Sequence, residues 1–393
     1  MALGVLLTAA CDSPQEPPAV PISEQAAPPS LRLATFNVAM GLSAAGELAQ
    51  ALQQRTHPRL RQLAEILQRV RPDIVLLNEF DYDPGVDAAA LLNENYLDQS
   101  QNGQEPIHFD YQFRAPVNAG VDSGLDLDGN GVTGEPADAW GFGRFAGQYG
   151  MLVLSRFPIK TDRARTFQQF HWADLPGAHA PSNPDGSNVY PDALWRQLRL
   201  SSKSHWDVPI MINNSRLHLL AFHPTPPVFD GPDDRNGWRN FDEIRFWVKY
   251  LAPEPALYLV DDAGRTGGLA PYQKFVIAGD FNADPLDGDS RPDAVAQLLD
   301  HPGIGHDCTP GSGGGRIAAG QQGGANRQQR GDPAYDTADF NDESSGNLRT
   351  DYLLPDKDLT VTGCGVFWPA PGEPGYDLTK VSDHRLVWLD IAL

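Results

Sequence analysis

Residues 274–284 read KFVIAGDFNAD, an apolar run followed directly by acids and an amide. A short apolar run of this kind predicts a buried strand, and the polar residues after it are delivered to one edge of a sheet. The pattern recurs along the chain and ends with a last predicted strand at 386–391. The recurring stretches are 31–39 (LRLATFNVA), 73–77 (DIVLL), 150–155 (GMLVLS) and 216–223 (RLHLLAFH).

Three stretches between these strands carry apolar residues at helical spacing. They are 58–71, which begins with a proline suited to a helix start, 241–251 and 292–299. Because several strands follow one another with no helix between them, we predict an α/β fold of mixed sheets with helices outside, in one unit over 31–393. Residues 311–324 are rich in glycine and predict a mobile surface loop.

The composition is acidic, with 51 Asp and Glu against 30 Lys and Arg and a formal net charge of −21. Such a surface repels nucleic acid at long range, which disfavours a role in coating DNA. A bound cation can invert the field locally, so the charge leaves a nuclease open. The hydrophobic share of 41% is enough for a sizeable core.

The first residues resemble the end of a bacterial lipoprotein signal. Residues 1–10 are mostly small and apolar, too few to span a bilayer, which takes ~20 residues, and Cys11 follows them. We predict a signal-peptide remnant over 1–10, a lipid on Cys11, a Pro-rich tether over 11–30, and an exported monomer held on a membrane by its lipid. Cys308 and Cys364 then remain, and we predict a disulfide between them, with two buried thiols as the alternative.

Side chains able to bind a cation or donate protons stand at the predicted strand ends and in two later segments. Carboxylates and amides are hard oxygen donors, which suit Mg²⁺ or Mn²⁺ and also Ca²⁺. Hydrolysis of a phosphoester needs such an ion to neutralise charge on the phosphoryl group and on the leaving oxygen. The residues are Asn37, Asn78, Glu79, His223, Asp280, Asn282, Asp351, Asp383 and His384.

Seven motifs in a fixed order together resemble the endonuclease/exonuclease/phosphatase superfamily of deoxyribonuclease-like metal-dependent phosphoesterases. The resemblance covers nearly all of the chain from residue 31 onward. It implies a four-layer α/β/β/α sandwich of two mixed sheets with helices outside. The motifs are ATFNVAM, VLLNEFD, YGMLVLSRFPI, AFHPTPP, GDFNADP, RTDYLLP and SDHRLVWLDI.

The same resemblance implies two groups of site residues. The metal group is Glu79 as the main ligand, with Asn37 and Asp383 binding or orienting the ion. The catalytic group is Asp280, which orients or deprotonates the attacking water, then Asn282, His223 and His384, which contact the phosphoryl group, and Asp351, which holds His384. A carboxylate beside a histidine favours the imidazolium, and this form can donate to a phosphoryl oxygen.

An insertion near 118–148 contains a second candidate cation site. Residues 122–134 read DSGLDLDGNGVTG, in which Asp126, Asp128 and Asn130 alternate as in the first half of a calcium loop. Ala137 stands where such a loop has its last acid, and Asp122, Glu135 or Asp138 could replace it. The alternative is a solvated turn, because Asp, Asn and Gly also form turns.

Three polar residues outside the motifs are candidate substrate-binding residues. Lys203 and His205 could meet a phosphate, with Trp206 stacking on a base or sugar, and Asn118 could line the pocket rim. The alternative for 203–207 is a strand edge with one buried aromatic residue.

The sequence favours an extracytoplasmic phosphoesterase that acts on phosphomonoesters or phosphodiesters by metal-assisted attack of water. A secreted nuclease on the same site is the first alternative, although no dense basic run is present to line a nucleic-acid groove. A calcium-binding surface lipoprotein without catalysis is the second alternative. Retention of all the acids, amides and histidines argues against it.

Overall fold

The computed structural model describes residues 30–392 together with Met1. Its strands are β1 (Ser30–Met40), β2 (Ile74–Phe80), β3 (Tyr111–Phe113), β4 (Met151–Ser155), β5 (Arg165–Thr166), β6 (His205–Ile212), β7 (Ser215–Phe222), β8 (Lys274–Asp280), β9 (Ala338–Asp339), β10 (Asn347–Leu348), β11 (Asp351–Pro355), β12 (Val361–Val366) and β13 (Val387–Ala392). Its α-helices are α1 (Glu47–Gln53), α2 (Pro58–Val70), α3 (Ala88–Leu92), α4 (Asp192–Trp195), α5 (Arg235–Tyr250), α6 (Ala296–Leu299) and α7 (Gly313–Gln322).

The strands form two large mixed sheets and one small ribbon of β9 and β10. The first sheet has the order β12-β13-β1-β2-β4-β3, in which β1 and β2 run parallel. The second has the order β11-β8-β7-β6-β5, in which β7 and β8 run parallel. Every other pairing in these sheets is antiparallel, so both sheets are mixed, as predicted.

The layers follow one another in the order helix, sheet, sheet, helix, and a buried hydrophobic cluster lies between each adjacent pair. Between the sheets, residues such as Leu33 and Leu76 of the first pack on Leu219 and Val276 of the second. The other face of the first sheet packs on α1, α2 and α3, and the other face of the second packs on α5 and α6. The four-layer α/β/β/α sandwich is therefore confirmed. Alternate residues of each strand face opposite layers, which accounts for strands buried on both sides.

One sequence expectation about the connections is wrong. Residues 311–324 are largely the helix α7 and not a loop. Ser312 caps this helix by accepting a hydrogen bond from the Gly315 amide at 3.0 Å, and Gly314 lies so close to the Trp368 backbone that a Cβ would meet it at 1.9 Å. A local cap and tight tertiary packing outweigh the low helix propensity of glycine here.

The predicted helices are present, with shifted limits. Helix α5 begins at Arg235 and not at 241, and α6 covers only the second half of 292–299. Cys308 and Cys364 are joined by a disulfide. The predicted signal remnant, the lipid on Cys11 and the tether up to residue 29 lie outside the described residues. Within the described residues, no helix has the length and apolar character needed to cross a bilayer.

Candidate active site

Strand alternation brings five polar residues to the same end of the layer between the sheets. Leu33 of β1 and Leu76 of β2 face the second sheet, so Asn37 and Asn78, an even number of residues further on, share that face. By the same alternation, Leu219, Val276 and Leu353 of the second sheet place His223, Asp280 and Asp351 on its inner face. The resulting cluster lies at an end of the sandwich where both sheets contribute side chains.

Asp280 is the centre of this group. Its Oδ2 accepts a hydrogen bond from Asn37 Nδ2 at 3.0 Å, lies 3.4 Å from His223 Nε2 and lies 3.6 Å from His384 Nε2. Burial alone would raise the pKa of Asp280, but the charges of His384 and His223 and the hydrogen bonds from His223 and Asn37 outweigh burial and lower it. Asp280 is therefore an ionised carboxylate between two imidazoles.

Asp351 holds the other side of His384. The Nδ1 of His384 lies 2.8 Å from Asp351 Oδ2, and the same oxygen accepts hydrogen bonds from the hydroxyls of Thr337 and Thr350 at 2.8 and 3.1 Å. Burial lowers the pKa of His384, yet the charges of Asp351 and Asp280 more than reverse this and raise it to about 10. Burial raises the pKa of Asp351, and the charge of His384 opposes that rise. The imidazolium form of His384 is thus favoured, with Nε2 pointing to Asp280.

Asn78 connects the two sheets behind these residues. Its Nδ2 donates to the Phe222 carbonyl at 3.4 Å, and its Oδ1 accepts from the Asp280 amide at 3.3 Å. Sequence reasoning noted Asn78 at a strand end but assigned it no role. In the structure, Asn78 of β2 links the first sheet to β7 and β8 of the second, and so fixes the position of the Asp280 backbone relative to β2.

Glu79 and Asp383 flank the group from the more open side. Glu79 is half-buried with φ of 54°, which interrupts the strand alternation at the end of β2. Asp383 is exposed and adjoins His384, whose pKa its charge helps to raise. Positive φ values also occur at Asn282 (51°) and Tyr149 (56°).

The donor chemistry fits a divalent cation. Glu79, Asp383 and Asn37 offer carboxylate and amide oxygens, the ligands that Mg²⁺ and Mn²⁺ prefer. Among the described residues, Asp351 Oδ1 is buried without a hydrogen-bond partner, as expected of an oxygen that meets a ligand. Ligand atoms of Asp280, Asp351 and His384 also lie within 4.8 Å of one another.

Lys203 lies in the same part of the structure as the acids of the site, and its role in substrate binding stays a prediction. It precedes β6, is buried, and lies near the carboxylates of Glu243, Glu79 and Asp280. Burial lowers the pKa of Lys203, and these three charges oppose the change. The Lys203 side chain is therefore a candidate contact for an anionic substrate group.

At His205 and Trp206 the structure supports the alternative, a strand with one buried aromatic residue, over substrate binding. His205 Nε2 lies 2.8 Å from the Glu243 carbonyl and Nδ1 lies 2.6 Å from Ser201 Oγ, so both nitrogens are used, and burial lowers its pKa to about 3. Trp206 is buried between the sheets, edge-on to Phe113. Both belong to the core because β6 is covered on both faces.

Asn118 is also a structural residue and not a rim contact. Its Nδ2 donates to the carbonyls of Gln168 and Ser201, each at 2.7 Å, and its Oδ1 accepts from Arg199 at 2.7 Å. Its backbone amide donates to the Lys203 carbonyl at 2.9 Å. A fully buried amide with these partners has no group left for substrate, but it fixes the segment that carries Lys203.

The insertion brings together part of the predicted calcium site. Carboxylate oxygens of Asp126, Asp128 and Asp138 lie within 4.8 Å of one another. Asp122 instead accepts the Gly124 amide. Asn130 Nδ2 donates to Asp128 and to Glu135. Structural calcium at this loop stays a prediction.

Fold and site together define the class of a metal-dependent phosphoester hydrolase: two packed mixed sheets, an acid between two histidines, and oxygen donors for a cation beside them. The chain belongs to the Endonuclease/Exonuclease/phosphatase family, whose model matches residues 34–384. Both the resemblance found in the sequence and the class of enzyme are confirmed.

Several solved structures are similar to this chain at low sequence identity. The endonuclease/exonuclease/phosphatase from Beutenbergia cavernae DSM 12333 is 17% identical with a TM-score of 0.51, over 93% of this chain and 72% of that one. A family protein from Leptotrichia buccalis C-1013-b is 14% identical with a TM-score of 0.46, over 92% and 100%. Sphingomyelinase C from Streptomyces griseocarneus is 15% identical with a TM-score of 0.43, over 93% and 100%. No curated protein matches the chain.

Proposed function

We propose that the protein hydrolyses phosphomonoesters or phosphodiesters by attack of water on the phosphoryl group. The observation that carries this proposal is the ionised Asp280 held between His223 and His384, with Lys203 beside it. This cluster offers one carboxylate acceptor for a hydrogen of the attacking water, and nitrogen donors for phosphoryl oxygens. Hydrolysis of a phosphoester needs both, because the water must be oriented and the charge on the phosphoryl oxygens must be stabilised.

Each residue has a role that follows from its contacts. Asp280 accepts a hydrogen bond from the attacking water and so orients it, while Asn37 keeps the carboxylate in place. His384 donates from Nε2 to a phosphoryl oxygen, because Asp351 holds the ring by Nδ1. His223 is the second such contact. Asn282 uses one amide hydrogen on the Pro224 carbonyl and offers the other to the phosphoryl group.

Glu79, with Asn37 and Asp383, would hold Mg²⁺ or Mn²⁺, with Ca²⁺ as a further candidate. A bound divalent ion neutralises charge on the phosphoryl group and on the leaving oxygen. Lys203, when protonated, would add a positive charge from the protein itself near these residues.

The test compares three substrates: an aryl phosphate, a bis-aryl phosphate and supercoiled plasmid DNA. Each is incubated with purified protein and Mg²⁺, Mn²⁺, Ca²⁺ or EDTA. Turnover of an aryl ester that stops in EDTA supports the proposal. Nicking of plasmid alone would favour a nuclease, and no turnover under any condition would overturn the proposal.

We also propose that the enzyme works outside the cytoplasm, anchored by a lipid on Cys11. The small apolar residues that precede Cys11 and the Pro-rich stretch after it support this location. Labelling of cells with radioactive palmitate should mark the wild-type protein and leave the C11S variant unmarked. Equal labelling of both would contradict the anchor.

A further inference from the structure

Helix α5 (Arg235–Tyr250) carries two buried polar residues that form hydrogen bonds with segments of the site. Asn240 and Glu243 are separated by one helical turn and so share a face. Their exposed fractions are 0% and 1%. Neither belongs to the motifs that point to the site, and a polar pair buried this deeply requires partners.

Glu243 joins two segments of the site with one carboxylate. Its Oε1 accepts the Ser202 amide at 2.7 Å, next to Lys203. Its Oε2 accepts the Thr225 amide at 2.7 Å, two residues after His223. Its charge is also the largest that opposes the effect of burial on Lys203.

Asn240 ties a third segment to the same helix. Its Nδ2 donates to the carbonyls of Thr225 and Phe281, at 2.8 and 2.9 Å. Phe281 stands between Asp280 and Asn282. The helix therefore fixes, through two side chains, the three chain segments that bear Lys203, His223 and Asp280.

We propose that Glu243 is a positioning residue for phosphoryl transfer to water: its carboxylate sets the spacing between the segments that bear Lys203 and His223. This inference rests on the proposed function. Glu243 reaches the reaction through the residues it holds. A carboxylate suits the task because it accepts from two amides at once, whereas a glutamine turns an NH₂ group toward one of them.

Asp242, the preceding residue on α5, provides a matched control. It is also fully buried, and it accepts from Trp172 Nε1 and from the His179 amide, both at 2.7 Å. These partners belong to a loop that carries none of the proposed site residues. D242N and E243Q thus remove one buried negative charge each from the same helix, on different sides.

The experiment measures kcat and KM of wild type, D242N, E243Q, K203M and the double variant E243Q/K203M with an aryl phosphate and Mg²⁺, after melting curves confirm folding. We expect E243Q to lower kcat by about 100-fold, the scale of a small misplacement of catalytic groups, and D242N to leave kcat unchanged. In the K203M background the effect of E243Q should shrink, because both changes act on one group. If E243Q does not fold, E243D, which keeps the charge but shortens the reach, is measured in its place and should lower kcat while D242N leaves it unchanged.

Binding of inorganic phosphate, measured by calorimetry in Mg²⁺, separates this inference from the proposed function. If no ester is hydrolysed, the proposed function fails, and several-fold weaker phosphate binding by E243Q than by D242N would still support the positioning role. The positioning role of Glu243 would be overturned by equal kcat values for E243Q and D242N, or by additive effects in the K203M background. It would also be overturned if an inactive wild type bound no phosphate.

Discussion

Asp280 and Asp351 are register partners on the antiparallel strands β8 and β11, and the imidazole of His384 lies against both carboxylates. Two buried acids placed side by side repel each other, and a cation between them relieves that repulsion. Here the cation is the imidazolium of His384, which is stabilised by the two carboxylates whose repulsion it reduces. The couple therefore links folding stability to pH in the part of the chain proposed to perform the chemistry.

The pKa of His384 in the folded protein, about 10, is raised from its ordinary 6.5. A raised pKa contributes stability that is complete below pH 6.5 and is lost as pH rises through about 10. In EDTA, the melting temperature of wild type should fall between pH 7 and pH 10 more steeply than that of H384Q. The exposed H108Q variant should follow wild type, and parallel curves for wild type and H384Q would contradict the coupling.

The contribution of Asp280 to folding stability depends on pH in the opposite sense. Its pKa is lowered from the ordinary 3.8, so its ionised form contributes stability above pH 3.8 that is lost as pH falls through the lowered value. The window in which both groups contribute fully therefore lies between pH 3.8 and 6.5. D280N should remove the acid side of this dependence and leave a flatter melting profile below pH 4.

Replacing Glu79 should lower activity far more than replacing an acid at the surface. As the proposed main ligand of the cation, it supports charge neutralisation in the transition state, and its loss removes several kcal/mol of that stabilisation. E79Q should therefore lower kcat/KM by about 10³-fold and weaken Mg²⁺ binding measured by calorimetry. E94Q, which breaks an exposed pair with Arg55, should change neither quantity.

The strand ends of the site could be predicted because their information is local. An apolar run of fixed length followed by Asn37, His223 or Asp280 identifies a strand and its end, and alternation then decides the face. His205 shows the limit of this reasoning. It is as close to a strand end as His223, but β6 is covered on both faces, so its ring enters the aromatic core beside Phe246.

Residues that hold the site in place had no such local signal. Glu243 and Thr337 act on backbone amides and on Asp351 across the fold, and their partners depend on how β7, β8 and β11 pack. Their types, a glutamate on an amphipathic helix and a threonine in a loop, are also common at solvated positions. Only the three-dimensional arrangement distinguishes them.

Thr337 should support His384 through Asp351. Its hydroxyl donates to Asp351 Oδ2 at 2.8 Å and accepts the amides of Thr350 and Asp351, both at 2.9 Å. T337V removes the acceptor of these two buried amides and one of the donors to Asp351 Oδ2, which keeps Thr350 and His384 as partners. It should therefore cost about 1–3 kcal/mol of unfolding free energy, measured by urea denaturation. It should also lower kcat. T337S keeps the hydroxyl and should retain most of both, and a T337S loss equal to that of T337V would point to the methyl group instead.

Lys203 should distinguish monoesters from diesters. A phosphomonoester carries one more negative charge than a diester near neutral pH, and the buried ammonium group interacts with that charge in a weakly screened environment. K203M should therefore lower kcat/KM for an aryl phosphate more than for a bis-aryl phosphate. K203R keeps the charge on a different geometry and should recover part of the monoester activity. If K203M lowers both activities by the same factor, Lys203 does not set this preference.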